Sequence, residues 1–180
     1  MRVLPAARIT LFEPVTSSMM GLDLPSRRPS WLTRIGASRY RLVLLTRWRE
    51  VRSAHEHGQW VPPGCTGINL GLALSQRLLN TSSHQRPAQA PIILADLLMG
   101  QEPALLYHVE LLFDPILQLE PLRALKAASR SRILLVLWPG TYEDHKLTYA
   151  EPGHPEYKQY RPADLADILV IPAADLTKEV

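Results

Sequence analysis

Arginine is the residue type whose number and placement first suggest a chemistry. The first 60 residues hold ten arginines and four acids, and the remaining 120 hold ten basic and thirteen acidic residues. Guanidinium groups neutralise phosphates and aromatic rings stack on bases, so the interspersed Trp31, Tyr40 and Trp48 favour a nucleic-acid contact. The alternative is a solvated surface that pairs with the acidic remainder of the chain. The candidate arginines are Arg27, Arg28, Arg34, Arg39, Arg41, Arg47, Arg49 and Arg52.

A second polar and aromatic segment lies between positions 143 and 157. His154 and Glu156 have the H-x-E spacing of zinc deaminases, but those enzymes also need a Pro-Cys-x-x-Cys element, and Cys65 is the only cysteine. Further groups that could join a metal site are Glu143, Asp144, His145 and Glu151. Because prolines stiffen the segment, we predict a structural or partner-docking role and no metal. The predicted docking residues are Tyr149, Glu151, His154, Glu156 and Tyr157.

Nucleophilic catalysis has no sequence support. No G-x-S-x-G nucleophile elbow is present. Cys65 lies in a loop rich in proline and glycine, with no neighbour in sequence that would activate its thiol. The sequence therefore predicts neither a serine hydrolase nor a cysteine enzyme, and it predicts no cofactor.

The elements that position these residues alternate between strands and helices. Apolar runs predict strands at 41–45, 67–70, 133–138 and 168–171, and a strand followed by a turn within 104–113. Helices are predicted at 48–57, from residue 70 to 78, at 91–99 and from 114 to 128, with a loop at 82–90 and a polar connection at 139–163. Residues 1–40 read as an irregular arm and 41–180 as one α/β domain. The alternation predicts a mostly parallel sheet with helices on both faces.

Targeting signals are not evident in the sequence. No run approaches the ~18 consecutive apolar residues that a membrane helix requires. Arg8 interrupts the apolar residues near the N-terminus, which does not fit a signal peptide. The sequence predicts a cytoplasmic protein.

Three segments resemble one known family. They are HVELLFDP at 108–115, LLVLWPG at 134–140 and LTYAEPGHPEY at 147–157. Together they resemble BrxF, the small P-loop-type protein of type 3 BREX (bacteriophage exclusion) systems. The resemblance implies a three-layer P-loop NTPase-like fold of the AAA/ASCE type, with a mostly parallel sheet of about five strands. It also implies partners among the other BREX proteins: a large ATPase, a methyltransferase and a phosphatase-like component.

The nucleotide site that this family would imply lacks its key residues. A P-loop needs glycines to wrap the phosphates, a lysine for the β- and γ-phosphates and a Ser or Thr for Mg²⁺. No glycine occurs between Gly36 and Gly58, and no lysine precedes Lys126. The strand expected to end in the Walker B acid ends instead at Tyr107 and His108. We therefore expect the nucleotide site to be degenerate.

The leading hypothesis is a non-catalytic adaptor subunit of a BREX-type defence complex. One alternative is a DNA-binding module that uses the arginine-rich first third. The other is an ATPase with an atypical site, completed by a partner protein. Self-association into a homo-oligomer stays open.

Overall fold

The central feature of the fold is a five-stranded parallel sheet. The computed structural model describes residues 34–35, 38–47 and 64–177. The strands of the sheet are β1 (Leu42–Thr46), β2 (Thr66–Asn69), β3 (Ala104–Tyr107), β4 (Leu134–Leu137) and β8 (Leu169–Pro172). Their order is β2-β3-β4-β1-β8, and every neighbouring pair is parallel. The predicted mostly parallel sheet of about five strands is confirmed.

Burial explains why the central strands are apolar at successive positions. All five residues of β1 are buried, and so are Leu134, Leu135 and Val136 of β4. A strand in the middle of a parallel sheet is covered on both faces, which removes the alternation of polar and apolar residues. At the edge, Thr66 and Gly67 of β2 are exposed. The strands predicted at 41–45 and 168–171 are each observed one residue later.

The helices follow from local capping and from the spacing of leucines. They are α1 (Leu70–Leu78), α2 (Arg86–Leu97), α3 (Pro121–Ala128) and α4 (Ala173–Thr177). The Asn69 side chain caps α1 by accepting a hydrogen bond from the Leu72 N–H at 3.0 Å. Every fourth residue of α1 from Leu70 is buried, which fixes one face of the helix against the sheet.

Two predicted helix boundaries are wrong. Helix α2 begins at Arg86, so Pro91 lies inside the helix and the predicted loop at 82–90 ends early. Pro87 occupies the first turn, where a missing N–H costs nothing, and it was the better start signal. The predicted helix from residue 114 is interrupted because Gln118 has a positive φ of 48°. Two short 3-10 helices (Glu110–Phe113 and Pro115–Leu117) precede α3 instead.

The predicted polar connection at 139–163 is a second sheet. Strands β5 (Thr141–Glu143), β6 (Lys146–Tyr149) and β7 (Lys158–Tyr160) pair antiparallel in that order; we call them the small sheet. Asp144 and His145 join β5 to β6 with φ of 48° and 60°. Positive φ at both positions is the geometry of a two-residue type I′ turn. Asp-His lacks the glycine that usually marks such a turn, so the hairpin was missed.

Both faces of the parallel sheet are buried. The larger core joins one face to side chains of α1, α2 and α3, including Leu70, Leu94 and Leu125. On the opposite face, Val43, Leu105 and their neighbours pack with residues that include Ile35 and Ala173 of α4. This arrangement is consistent with a three-layer α/β fold. In the described part of the chain, no helix is long and apolar enough to span a membrane.

Candidate functional site

The carboxyl edge of the parallel sheet is the first candidate site. Ligands of open α/β sheets bind beyond the carboxyl ends of the strands, where neighbouring strands send their connections in opposite directions. The chain leaves β1 toward β2 on one side and leaves β4 toward β8 on the other. The expected crevice therefore lies between the ends of β1 and β4.

The end of β1 offers one hydroxyl and one guanidinium. Thr46 is 2% exposed, and its Oγ1 donates a hydrogen bond to the Ile171 carbonyl of β8 at 3.4 Å. Arg47 follows with a positive φ of 54° and an exposed side chain. The hydroxyl is thus directed to the neighbouring strand, and a bulky cation occupies the first position of the connection. Residues 48–63, including the helix predicted at 48–57, lie outside the described residues.

The end of β4 is closed by the small sheet. Trp138 follows β4 and is fully buried, and its indole N–H donates a hydrogen bond to the Thr148 carbonyl of β6 at 2.8 Å. The rings of Phe113 and Tyr160 lie edge-on to the indole, with centroids 5.4 Å and 5.9 Å away. Gly140 lies directly against the same carbonyl, since an added Cβ would approach its oxygen to 1.7 Å. An aromatic cluster therefore fills this half of the expected crevice.

The end of β3 carries an imidazole where a Walker B strand would carry a carboxylate. His108 has a positive φ of 53°, and its ring lies edge-on to that of Tyr107. Its Nδ1 lies 4.0 Å from Oε2 of Glu110, which belongs to the first 3-10 helix. The Asp114 carboxylate accepts a hydrogen bond from the Ile116 N–H at 2.8 Å and so acts as a helix cap. The nearby acids thus have other contacts.

The predicted docking residues occupy β6 and the turn after it. The Tyr149 ring packs on Phe113 with centroids 3.8 Å apart, and its hydroxyl donates to Oε2 of Glu156 at 3.2 Å. Burial, followed by the charge of Glu156 and this hydrogen bond, raises the pKa of Tyr149 to about 12. His154 Nδ1 accepts a hydrogen bond from the Glu156 N–H at 3.2 Å, and Glu151 is exposed. The structure brings Tyr149, His154 and Glu156 together; Tyr157 follows, half-buried.

Metal and thiol chemistry gain no support from the geometry. Among the residues that the structure describes, no three His, Cys, Asp or Glu side chains could hold a metal together. Cys65 is half-buried, and burial raises the pKa of its thiol. A raised pKa reduces the thiolate fraction at neutral pH and makes the sulfur a poor nucleophile.

The predicted nucleic-acid arginines do not form one patch within the described residues. Arg34, Arg39 and Arg47 are exposed. Arg39 and Arg47 lie before and after β1, whose five residues span roughly 17 Å. Arg41 lies 3.7 Å from the Glu102 carboxylate. Four of the candidates, Arg27, Arg28, Arg49 and Arg52, lie outside the described residues.

A groove along the outer face of α3 was missed by sequence reasoning. It encloses about 820 Å³, and its walls come from α3, from β7 and from the turn that follows β7. The charged and aromatic residues that line it are Tyr40, Glu120, Arg123, Lys126, Arg130, Lys158, Tyr160 and Asp164. The signal was available in the sequence, because positions 123, 126 and 130 recur at helical spacing on one face. We call this feature the α3 groove.

Fold and site together define an α/β protein whose parallel sheet is closed at its carboxyl edge beside β4. Compared with known protein families, with curated proteins and with solved structures, the chain matches none of them.

Proposed function

We propose that the chain is a non-catalytic adaptor subunit built on the P-loop NTPase plan, acting in a BREX-type bacteriophage defence complex. The strand order supports a P-loop NTPase-like fold, because β1 lies between β4 and the last strand, as the P-loop strand does in proteins of the AAA/ASCE type. The three BrxF-like segments supply the defence context. Two of them, at 134–140 and 147–157, meet at the Trp138 hydrogen bond to Thr148.

The single observation that carries the non-catalytic proposal is the burial of Trp138 at the end of β4. Ligands of open α/β sheets bind beyond the carboxyl ends of the strands at this crevice, so a nucleotide there would need polar side chains and space for its phosphates. Here the indole is fully buried, and its only polar atom donates to a main-chain carbonyl. Together with His108 in place of a Walker B carboxylate, this favours a scaffold over an ATPase.

Exposed apolar side chains support an adaptor role. On α2 and just after it, Ile92 is 61% exposed and Met99 is 63% exposed. They line a concave surface of about 750 Å³, which the ion pair of Arg77 with Asp96 borders. Side chains of this size, exposed beside a cavity, are typical of docking surfaces on protein complexes. The exposed Glu151 and His154 of the predicted docking segment offer a second, polar contact.

The catalytic half of the proposal is tested with purified protein, ATP and Mg²⁺. We expect no turnover above a buffer blank and no heat of ATP binding in calorimetry. The assay is repeated with each candidate partner protein added, because the competing hypothesis places the missing residues on a partner. ATP turnover that Arg47→Ala abolishes, alone or in the complex, would overturn the proposal.

The adaptor half is tested by affinity capture from the native host, with mass spectrometry of the bound proteins. We expect the large ATPase, the methyltransferase or the phosphatase-like component to be recovered by the wild type. Ile92→Glu should reduce the recovery, and Thr66→Ala, an exposed change on the edge strand β2, should leave it unchanged. Recovery of nucleic acid without any of these proteins would contradict the adaptor role.

A further inference from the structure

The α3 groove has an excess of positive charge that its own acids do not neutralise. Its lining includes four cations, Arg123, Lys126, Arg130 and Lys158, and two carboxylates. The two carboxylates cap main-chain groups: Glu120 accepts from the Arg123 N–H at 2.7 Å, and Asp164 accepts from the Arg161 N–H at 2.9 Å. Among the described residues, neither Arg123 nor Lys158 forms an ion pair with a carboxylate.

One end of the groove is held in place by hydrogen bonds. The Lys126 ammonium donates to the Asp164 carbonyl at 2.6 Å and to the Ala166 carbonyl at 3.2 Å. The same ammonium lies 5.2 Å from the centroid of the Tyr40 ring. The guanidinium groups of Arg39 and Arg130 lie 5.5 Å and 5.8 Å from this ring. An aromatic ring and three cations therefore stand together before any ligand binds.

The spread of the cations along the groove suits a chain of phosphates better than one phosphate. Arg123 and Lys126 lie on α3, about one helical turn (~4.5 Å) apart, and Arg130 lies two residues beyond the end of the helix. Lys158 faces these residues from β7 on the opposite wall. A single anion would be held by cations that converge on one point, and here they line a groove.

We propose that the α3 groove binds single-stranded nucleic acid. Arg123, Arg130 and Lys158 contact phosphates, and Tyr40 provides a ring on which a base stacks when Arg130 moves from this ring to a phosphate. Positively charged grooves with aromatic side chains are the general means by which proteins hold single strands. The concave shape favours one strand over a duplex, whose phosphates lie on a wide convex surface.

The cations that line this groove all follow the arginine-rich first third of the chain, and the groove is separate from the surfaces assigned to adaptor docking. Among the described residues, Arg39 and Tyr40 belong both to that first third and to the groove or its surroundings. The proposal does not depend on the adaptor function, because binding to a purified single strand needs no partner protein. Failure of either proposal therefore leaves the other intact.

The test is fluorescence anisotropy of a labelled 12-nucleotide single strand, titrated with the full chain between 50 and 200 mM salt. Each phosphate contact on a single strand contributes about −0.7 to the slope of log K against log salt. Arg123→Ala/Lys158→Ala removes two contacts, so the slope should become less negative by about 1.4. Between 50 and 200 mM salt, the factor by which the double variant loses affinity should therefore be about sevenfold smaller than the factor for the wild type.

The matched control is Arg77→Ala/Lys146→Ala, which removes two exposed cations outside the groove. We expect it to keep the wild-type slope, and circular dichroism checks that both double variants are folded. A duplex of the same length and an abasic strand are measured in parallel, and both should bind more weakly than the single strand.

Several results would overturn the proposal. They are an absence of salt-dependent binding, equal losses in the two double variants, or duplex binding as tight as the single strand. Displacement of the strand by an equal phosphate concentration of tripolyphosphate would also overturn it, since the groove would then hold compact anions. Tyr40→Leu should weaken binding of the normal strand and leave binding of the abasic strand unchanged; equal effects on both would remove the stacking role.

Discussion

Gly140→Ala is the substitution that most directly tests how the small sheet is attached. The added Cβ would lie 1.7 Å from the Thr148 oxygen and 3.0 Å from Nε1 of Trp138. The methyl group therefore overlaps the acceptor oxygen from the side of the hydrogen bond that closes the end of β4. To reach even 3.0 Å, the carbonyl must retreat by about 1.3 Å. Because this shift is nearly perpendicular to the 2.8 Å hydrogen bond, it lengthens and tilts the bond and so weakens it.

The cost follows from what the displacement disturbs. Complete loss of its acceptor would cost a buried indole N–H about 1–3 kcal/mol, which is the upper limit for the weakened hydrogen bond; the overlap with the carbonyl adds to it. The edge-on ring contacts of Trp138 with Phe113 and Tyr160 are each worth about 0.5–1.5 kcal/mol and would be partly lost. We expect Gly140→Ala to lower the free energy of unfolding by about 3 kcal/mol, which for a chain of this size lowers the Tm by roughly 6–12 °C.

The assay is urea unfolding followed by circular dichroism, with two comparison variants. Gly100→Ala has open space around the new methyl group but a positive φ of 71°, so it costs only the ~1 kcal/mol of a left-handed conformation. Trp138→Phe keeps an aromatic ring but removes the donor together with part of the buried ring volume, so its cost is an upper limit for the hydrogen bond. A Gly140→Ala protein within about 0.5 kcal/mol of the wild type would refute the packing argument, since an overlap this close to backbone cannot be relieved so cheaply.

Three further predictions concern an alkaline titration, a helix cap and a thiol. Because the pKa of Tyr149 is raised from 10.0 to about 12, the folded state keeps this proton longer than the unfolded state. The stability it contributes is full below pH 10 and is lost as the pH rises through 12, so Tyr149→Phe should flatten that fall in urea titrations. Asn69→Ala removes the acceptor for the Leu72 N–H and should cost about 1 kcal/mol in the same assay. Cys65 should react slowly with a disulfide reagent at neutral pH and faster in urea, because burial raises the pKa of its thiol.

The parallel sheet could be predicted from the sequence because burial on both faces leaves a simple signature. Runs such as LVLLT at Leu42–Thr46 and LLVL at Leu134–Leu137 are apolar at successive positions, and only a covered strand tolerates this. The order of the strands was harder to predict from the sequence, because the pairing of β1 with both β4 and β8 depends on contacts between residues far apart in the chain.

The small sheet and the α3 groove were missed for different physical reasons. The strands of the small sheet have three or four residues each, and their stability depends on tertiary packing of Tyr149 and Tyr160 rather than on local propensity. The groove combines a helix face with Lys158, which lies 28 residues after Arg130. Helical spacing predicts the cations on and after α3, but only the fold shows that Lys158 of β7 lies opposite them.

The closed carboxyl edge beside β4 limits where this protein can bind a ligand. In an open parallel sheet, the strand ends and their main-chain dipoles form the natural ligand site. Here Trp138, Phe113 and Tyr160 bury that position and use its hydrogen-bonding groups for stability. Reopening it for a nucleotide would expose a buried tryptophan and leave its N–H unpaired, which costs more than most single ligand contacts return. Binding is therefore expected on surfaces outside the closed strand end, where α2 exposes apolar side chains and α3 exposes cations.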